Sequence, residues 1–428
     1  MVQRIIWATL DAQGRKALLA RSETDLSGFF DKVRPIIAAV KAEGDAALLR
    51  FAREIDGAPV SNLMASEAEF DQAFATLDPA LTQTIGKAIE NVRAFHEDQR
   101  PGPMSLREIT PGAWAGDRFT PIRSVALYVP RGKGSFPSVT MMTSVPAVLA
   151  GVKDIAIFTP PTPDGGVDAA TLVAARLAGV AKVYKCGGAQ AVAAAAYGTE
   201  TISKALKIVG PGSPWVVAAK RLLSDQIDTG LPAGPSECII FADGTLPGRL
   251  AALDLLIEAE HGPDSSAWLV THSPQTAQEA EAALPALIEA LPEPRRSFVT
   301  QVLNGRGGIL LTPDLATSYA FINDYAPEHL EILSASPFDH LGEITEAAEI
   351  LLGAHTPVTL ANFCLGPNNV LPTSGGARTH GPLSVTDFLK RTSVGYVTAK
   401  GWPNLAPMAE ALADYEGFPS HARAVRDR

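Results

Sequence analysis

From Ser124 onward the chain alternates between short apolar runs and helical patterns, and this rhythm limits the fold more than any other feature. SVALYVP, DIAIFTPP, AKVYKCGG and ALKIVG are the apolar runs. A helix ending at Gly151, then AATLVAARLAG, AQAVAAAAYG and WVVAAKRLL, follow them in turn. Each unit is about 30 residues long, the size of a βαβ crossover. Runs that stay apolar at successive positions suit strands covered on both faces. The pattern predicts an α/β fold with a mostly parallel, doubly wound sheet over residues 124–236.

A second alternating block follows. CIIFAD, AWLVTH, GGILLTP and HLEILSA read as strands, with helices at about 247–261, 275–291 and 314–325 between them. Upstream, residues 24–54 read as two helices, with Asp25 or Ser27 as the first cap, and residues 66–98 as two more. Residues 101–121 form a Pro/Gly-rich crossing with room for short strands, and residues 342–380 a long loop-rich stretch. Residues 384–428 show three short helical patterns with too little apolar surface for a core of their own, so they should pack on something else, a partner subunit included. The expected organisation is an N-terminal segment (1–23), a discontinuous catalytic and metal unit (24–123 with 237–380), a Rossmann-like unit (124–236) and a dimerisation tail (381–428).

Charge narrows the partners. The formal net charge is −10 and no Lys/Arg run interrupts it, which argues against nucleic acid and anionic membranes. No apolar run approaches the ~18 residues of a membrane span. The N-terminal stretch lacks a cleavage pattern and reads as mature protein. Cys186, Cys238 and Cys364 match no metal or disulfide spacing, and three free thiols suit a reducing cytoplasm.

The chemistry-bearing residues cluster at element ends. RGKG before Ser135, CGGAQ at 186–190 and GPGS at 210–213 are glycine turns preceding helices. None fits the G-x-G-x-x-G fingerprint, and singly each suits an ordinary βα turn. Together they sit at the carboxyl ends of neighbouring strands, where open α/β sheets bind nucleotides and helix N-termini hold pyrophosphate. In ALDLLIEAEHGPDS (252–265), Glu258 and His261 are three apart at a helix end and project from one side, half of a divalent metal site with zinc the commonest fit. The same spacing also suits a helix-end histidine answering the dipole beside a solvated glutamate. PAGPSE (232–237) is a rigid polar turn. YAPEHLE (325–331) sets Glu328 beside His329, and they reach one target only if the chain turns at Pro327.

YVP (128–130), GGAQA (187–191), GPG (210–212), PAGPSE, AEHGPDS (259–265), YAPEHLE, NNVLPT (368–373) and EGFPSHARAV (416–425) occur in the order and approximate spacing of histidinol dehydrogenase. The chain resembles that family from about residue 24 to its end. The resemblance implies a zinc-containing, NAD-dependent homodimer with two Rossmann-like domains and a C-terminal tail that completes the partner's active site. It implies oxidation of a primary alcohol through a bound aldehyde to a carboxylate, with two NAD consumed. By position, His261 and His421 match imidazole zinc ligands, with His421 given across the dimer. Glu328 and His329 match the acid/base pair, Ser236 and Glu416 hold substrate, and Tyr128 and Gln190 contact NAD.

There are departures from the family pattern. Glu258 stands where the family has Gln and Asn362 where it has Asp, both metal ligands, so the summed ligand charge is unchanged. Asn369 replaces a His near the substrate, and Ser213, followed by Pro214, replaces an Asn on NAD. Departures gathered at one site point to a paralogue whose alcohol differs from L-histidinol, such as a diol, an amino alcohol or a hydroxysulfonate. In the implied chemistry, His329 as a neutral imidazole titrating near pH 7 takes the hydroxyl proton, and Glu328 activates water on the aldehyde. Two other classes remain: a non-catalytic metal- or ligand-binding relative, and a zinc hydrolase using Glu328 without NAD.

Overall fold

The structure, a computed structural model, describes residues 2–21, 26–132 and 134–428. Asp25 and Lys133 of the RGKG turn therefore lie outside the described residues, and Ser27 is the first residue of its helix rather than a cap. The strands are β1 (Arg4–Ile6), β2 (Met104–Thr110), β3 (Ala113–Pro121), β4 (Ser124–Tyr128), β5 (Asp154–Thr159), β6 (Lys182–Lys185), β7 (Lys207–Val209), β8 (Glu237–Ala242), β9 (Ser266–Thr271), β10 (Gly307–Leu311), β11 (His329–Leu333), β12 (Glu349–Leu352) and β13 (Leu389–Val397). They form a parallel four-stranded sheet in the order β6-β5-β4-β7 and a parallel six-stranded sheet in the order β1-β10-β9-β8-β11-β12. A third sheet, β13-β3-β2, is antiparallel.

The four-stranded sheet is apolar on both faces because alternate residues feed different cores. Val125, Leu127, Ile157 and Val183 pack with helices Pro137–Leu149 and Ala169–Ala178. Ala126, Tyr128, Phe158 and Ile208 pack the other way, against Ser27–Glu43, Gly188–Tyr197 and Pro214–Leu222. The six-stranded sheet divides likewise. Ile240 and Leu333 face helix Gly248–Ala259, whereas Ile239, Phe241, Leu330 and Ile332 face helix Leu315–Tyr325.

Three segments differ from the sequence reading, while the crossing at 101–121 carries strands, as expected of it. The Pro/Gly-rich crossing is the β2–β3 hairpin, turned at Gly112 with φ +82°. The loop-rich stretch contains β12 and helix Val358–Phe363. A helix at Arg295–Leu303 follows the one that begins at Pro274. The first of the three tail patterns is β13, which pairs along its whole length with β3. The remaining tail consists of helices Trp402–Tyr415 and Pro419–Arg426, with Met408, Leu412, Tyr415 and Phe418 exposed. Among the described residues no helix is long and apolar enough to cross a membrane.

Candidate active site

His329 opens β11 and is fully buried. Its register partners are Glu349 on β12 and Cys238 on β8. Register partners in neighbouring strands point to the same face, so Glu349 lies beside the ring, and His329 Nδ1–H donates to Glu349 Oε2 at 2.7 Å. Glu328 precedes the strand. Ala326 takes a left-handed conformation with φ 51°, and the chain turns there. That turn brings Glu328 Oε1 to 3.9 Å from His329 Nε2, although adjacent residues in an extended strand would diverge. The other oxygen of Glu328 accepts from the Glu237 amide at 2.8 Å.

Burial works against charge on His329, but the hydrogen bond to Glu349 and the fields of Glu328, Glu258 and Glu349 outweigh it. The imidazole is pushed up to about 10. It is thus an imidazolium at neutral pH in the ligand-free protein, rather than a neutral ring titrating near 7. Burial, aided by Glu258 and Glu237, raises Glu328 well above the usual carboxylate range.

A second group faces this row. Helix Gly248–Ala259 carries Glu258, and His261 lies just past its end. The predicted shared side holds: His261 Nδ1 is 3.2 Å from Glu258 Oε2 and 3.1 Å from the Ile257 carbonyl. Both neighbours are acceptors, so Nδ1 carries a hydrogen and Nε2 is the nitrogen left to face a ligand. Asn362, on helix Val358–Phe363, donates from Nδ2 to Glu258 Oε1 at 2.8 Å. Burial alone would raise Glu258. The charges of His261 and His329 and hydrogen bonds from Asn362 and Ser236 hold it below its ordinary value, as a carboxylate. Asn369 donates to the Asn362 carbonyl at 2.9 Å, and its own Oδ1 is buried with no hydrogen-bond partner.

The donor set Glu258, His261 and Asn362 offers two oxygens and one imidazole with a single negative charge, a chemistry that suits a divalent cation. Asn362 presents its oxygen there once the amide turns over. Among the described residues no group of three or more His, Cys, Asp and Glu is placed to hold a metal. Glu416 and His421 lie exposed on the tail, where His421 stacks near Phe418 with ring centroids 5.4 Å apart. The described structure does not bring them to Glu258 and His261.

The glycine turns lie at the carboxyl ends of β4, β6 and β7. The Tyr128 hydroxyl accepts from the Gly188 amide at 3.0 Å. Gln190 is buried and donates to Asp56 at 3.4 Å. Gly210 has φ +114°, and a Cβ there would stand 2.1 Å from the Tyr128 carbonyl, so only glycine lets this turn close onto β4. Helices Pro137–Leu149, Gly188–Tyr197 and Pro214–Leu222 begin here without a side-chain cap, Ser213 being the N-cap of the last. Three uncapped helix starts at one sheet edge suit an anionic ligand such as a pyrophosphate. The two halves meet at Arg295, which lies near Gly134 and donates to the Glu260 carbonyl beside His261.

Several residues escaped the sequence reading. Glu349 sits in a four-residue strand without a motif. Arg21, from the N-terminal segment, pairs with buried Glu237 at 2.7 Å and stacks on the Tyr325 ring at 3.3 Å from its centroid. Its only sequence signal is a basic residue preceding a helix.

Parallel sheets whose strand ends gather a buried carboxylate–imidazole–carboxylate row, a mixed metal-donor group and three glycine turns define an α/β enzyme. The comparisons with known proteins make this specific. A histidinol dehydrogenase family profile matches residues 19–428. A Cereibacter sphaeroides protein named histidinol dehydrogenase homolog is 70% identical over 424 residues, 98% of this chain and 96% of its own. A Synechocystis histidinol dehydrogenase is 50% identical, over 98% of this chain and 97% of its own. The crystal structure of histidinol dehydrogenase from Elizabethkingia anophelis superposes with a TM-score of 0.94 at 33% identity, covering 99% of this chain and 97% of the other. The chain belongs to the histidinol dehydrogenase family, and with it to the oxidoreductases.

Proposed function

We propose that this protein is an NAD- and zinc-dependent dehydrogenase that oxidises a primary alcohol, L-histidinol or a related polar alcohol, through an aldehyde to the carboxylate. The observation that carries the reading is the Glu328–His329–Glu349 row lying beside the Glu258, His261 and Asn362 group, with Glu258 close enough for its charge to act on His329. We read residues 124–236 as the Rossmann-like nucleotide unit. In the order β6-β5-β4-β7 the chain runs outward from β4 to β6 and returns to β7 on the other side, and the β4/β7 crevice is where such sheets bind a dinucleotide. Tyr128, Gln190 and Ser213 line that end.

Glu258, His261 and Asn362 would hold the metal, with His421 of a second copy as the fourth ligand. The exposed apolar tail supports a homodimer with shared sites. When bound, the metal ion orients and polarises the substrate, and NAD supplies the hydride acceptor. The chain's own residues handle protons and position. Ser236 hydrogen-bonds Glu258 and stands where the alcohol would lie, with Asn369 and a partner's Glu416 as further contacts. His329 carries a proton in the ligand-free protein. The ring must pass that proton to bulk water before it can accept the hydroxyl proton. Glu349 keeps the ring fixed and stabilises the imidazolium that forms. Glu328 then takes a proton from water as it adds to the aldehyde. The three unpaired thiols support a cytoplasmic location.

A second reading, a paralogue acting on a non-imidazole alcohol, is favoured by Glu258, Asn362 and Asn369 together. The C. sphaeroides relative, at 70% identity, is named a homolog, whereas the Synechocystis protein at 50% is not. One experiment tests both. Zinc-loaded protein and NAD are assayed for NADH against L-histidinol, amino alcohols, diols and hydroxysulfonates. Turnover of histidinol supports the first reading, turnover of another alcohol alone supports the second, and no NADH with any alcohol refutes both.

A further inference from the structure

Helix Gly248–Ala259 and strand β11 face each other like the sides of a ladder. Asp254 and Glu258 are one turn apart on the helix and share its inner face. His329 and Glu331 are two apart on the strand and share the face toward that helix, because Leu330 and Ile332 belong to the core on the other side. One rung joins Glu258 to His329 through their charges. The other brings the Asp254 and Glu331 side chains within hydrogen-bonding reach of each other, and both of these carboxyls are buried. This second rung lies outside the groups proposed to hold the metal or to handle the hydroxyl proton.

Two carboxylates cannot hydrogen-bond without a proton between them. Glu331 Oε2 accepts from the Val358 amide at 3.3 Å, while Oε1 finds no donor in any other group. The charged and titratable groups around the rung are Glu258 on the same helix, Glu328 and His329 at the start of β11, and Cys238 on β8. Burial pushes the Cys238 thiol well up, so it stays a neutral neighbour.

We propose that Asp254 and Glu331 share a single proton and thereby form a strut that positions three elements of the site: the helix carrying Glu258 and His261, the strand opened by His329, and the helix carrying Asn362. Val358 is the first residue of that last helix, so its amide bond to Glu331 anchors the helix start four residues before Asn362. Burial raises both carboxyls and their proximity raises Glu331 further, so the pair holds a proton well above the usual carboxylate range. Both are positioning residues, and the positioning half of the proposal rests on the metal reading given above.

Infrared difference spectra of metal-free protein test the shared proton directly. The parent should show the carbonyl stretch of a protonated carboxyl group that is lost in both Asp254→Asn and Glu331→Gln. Absence of that difference overturns the shared proton. Zinc affinity tests the strut. Asp254→Asn can donate from its amide where the proton was, so it should stay within about threefold of the parent, whereas Asp254→Ala and Glu331→Ala should lose about 10- to 100-fold. Alanine variants with parental affinity overturn the positioning role, as does an amide variant as damaged as the alanine one. If the alanine variants do not fold, the amide variants must keep parental zinc affinity for the strut to stand. A parent protein that binds no zinc would refute the metal reading, while the infrared result would still decide the shared proton.

Discussion

Glu349→Gln isolates what holds His329. The substitution keeps size and an acceptor for Nδ1–H but removes the charge that lies 2.7 Å from the ring. Moving a buried imidazole from its ordinary 6.5 to about 10 corresponds to about 5 kcal/mol in favour of the imidazolium at ~1.4 kcal/mol per pH unit. Glu349, Glu328 and Glu258 share this against the cost of burial, and the bond to Glu349 is the largest favourable contribution. Its charge should account for about 2 kcal/mol, so His329 in the variant should titrate about 1–2 pH units lower. Two assays read this. In NMR of the metal-free protein, the His329 ring signal should titrate at the lower pH. In metal-loaded enzyme, the acidic limb of the kcat/KM profile should move the same way, with the plateau lowered about tenfold by a weaker and less firmly oriented base. Stability follows the same sign. A group whose folded pKa is raised contributes fully below its unfolded value and loses the contribution as pH rises through the folded one. Parent and variant should therefore differ most below pH 6.5 and converge as pH passes about 10. An unmoved ring titration would refute the claim that Glu349 sets the protonation of His329.

Glu258→Gln should weaken zinc binding tenfold or more, because it removes the only carboxylate among the proposed ligands, and adding Asn362→Asp should recover part of the loss, read as metal content after dialysis. Full zinc in the single variant would exclude Glu258 as a ligand. Arg21→Ala removes the buried ion pair with Glu237 at 2.7 Å, and urea unfolding should show about 3 kcal/mol lost. A loss within 0.5 kcal/mol of zero, roughly the range of an ordinary surface change, would make the pair incidental. Two inactive variants, one lacking His261 and one lacking His421, should regain activity at one site when co-assembled. Confirmed heterodimers without activity would mean that each chain builds its site alone.

Much of this architecture is legible in the residues because burial leaves a pattern. SVALYVP and DIAIFTPP are apolar at successive positions since both faces of β4 and β5 are covered, and the structure places strands there. Glu258 and His261 can be paired from spacing alone because a helix end sets their geometry. β12 is hidden for the opposite reason: four residues are too few for a period, so Glu349 carries no sign that it will lie beside His329. LKRTSVGYV reads as helical because β13 is mostly exposed and is held as a strand by its pairing with β3, a tertiary fact. Protonation is less legible still. His329 departs from ordinary imidazole behaviour through three carboxylates drawn from three elements, and no local stretch contains them all. The location of the row is a further surprise: His329 and Glu349 open their strands, so the proposed acid/base residues sit at the amino ends of the six-stranded sheet, while the glycine turns occupy the carboxyl ends of the other.

The most direct test of the dehydrogenase reading counts products in a single sample. Protein stripped of metal and reloaded with zinc is given NAD and a limiting amount of the best alcohol from the panel, and NADH and acid are both quantified. The account predicts two NADH and one carboxylate for each alcohol consumed, with no free aldehyde and no turnover before zinc is restored. Equal amounts of NADH and alcohol consumed, with aldehyde released, or full turnover in stripped protein, would contradict it.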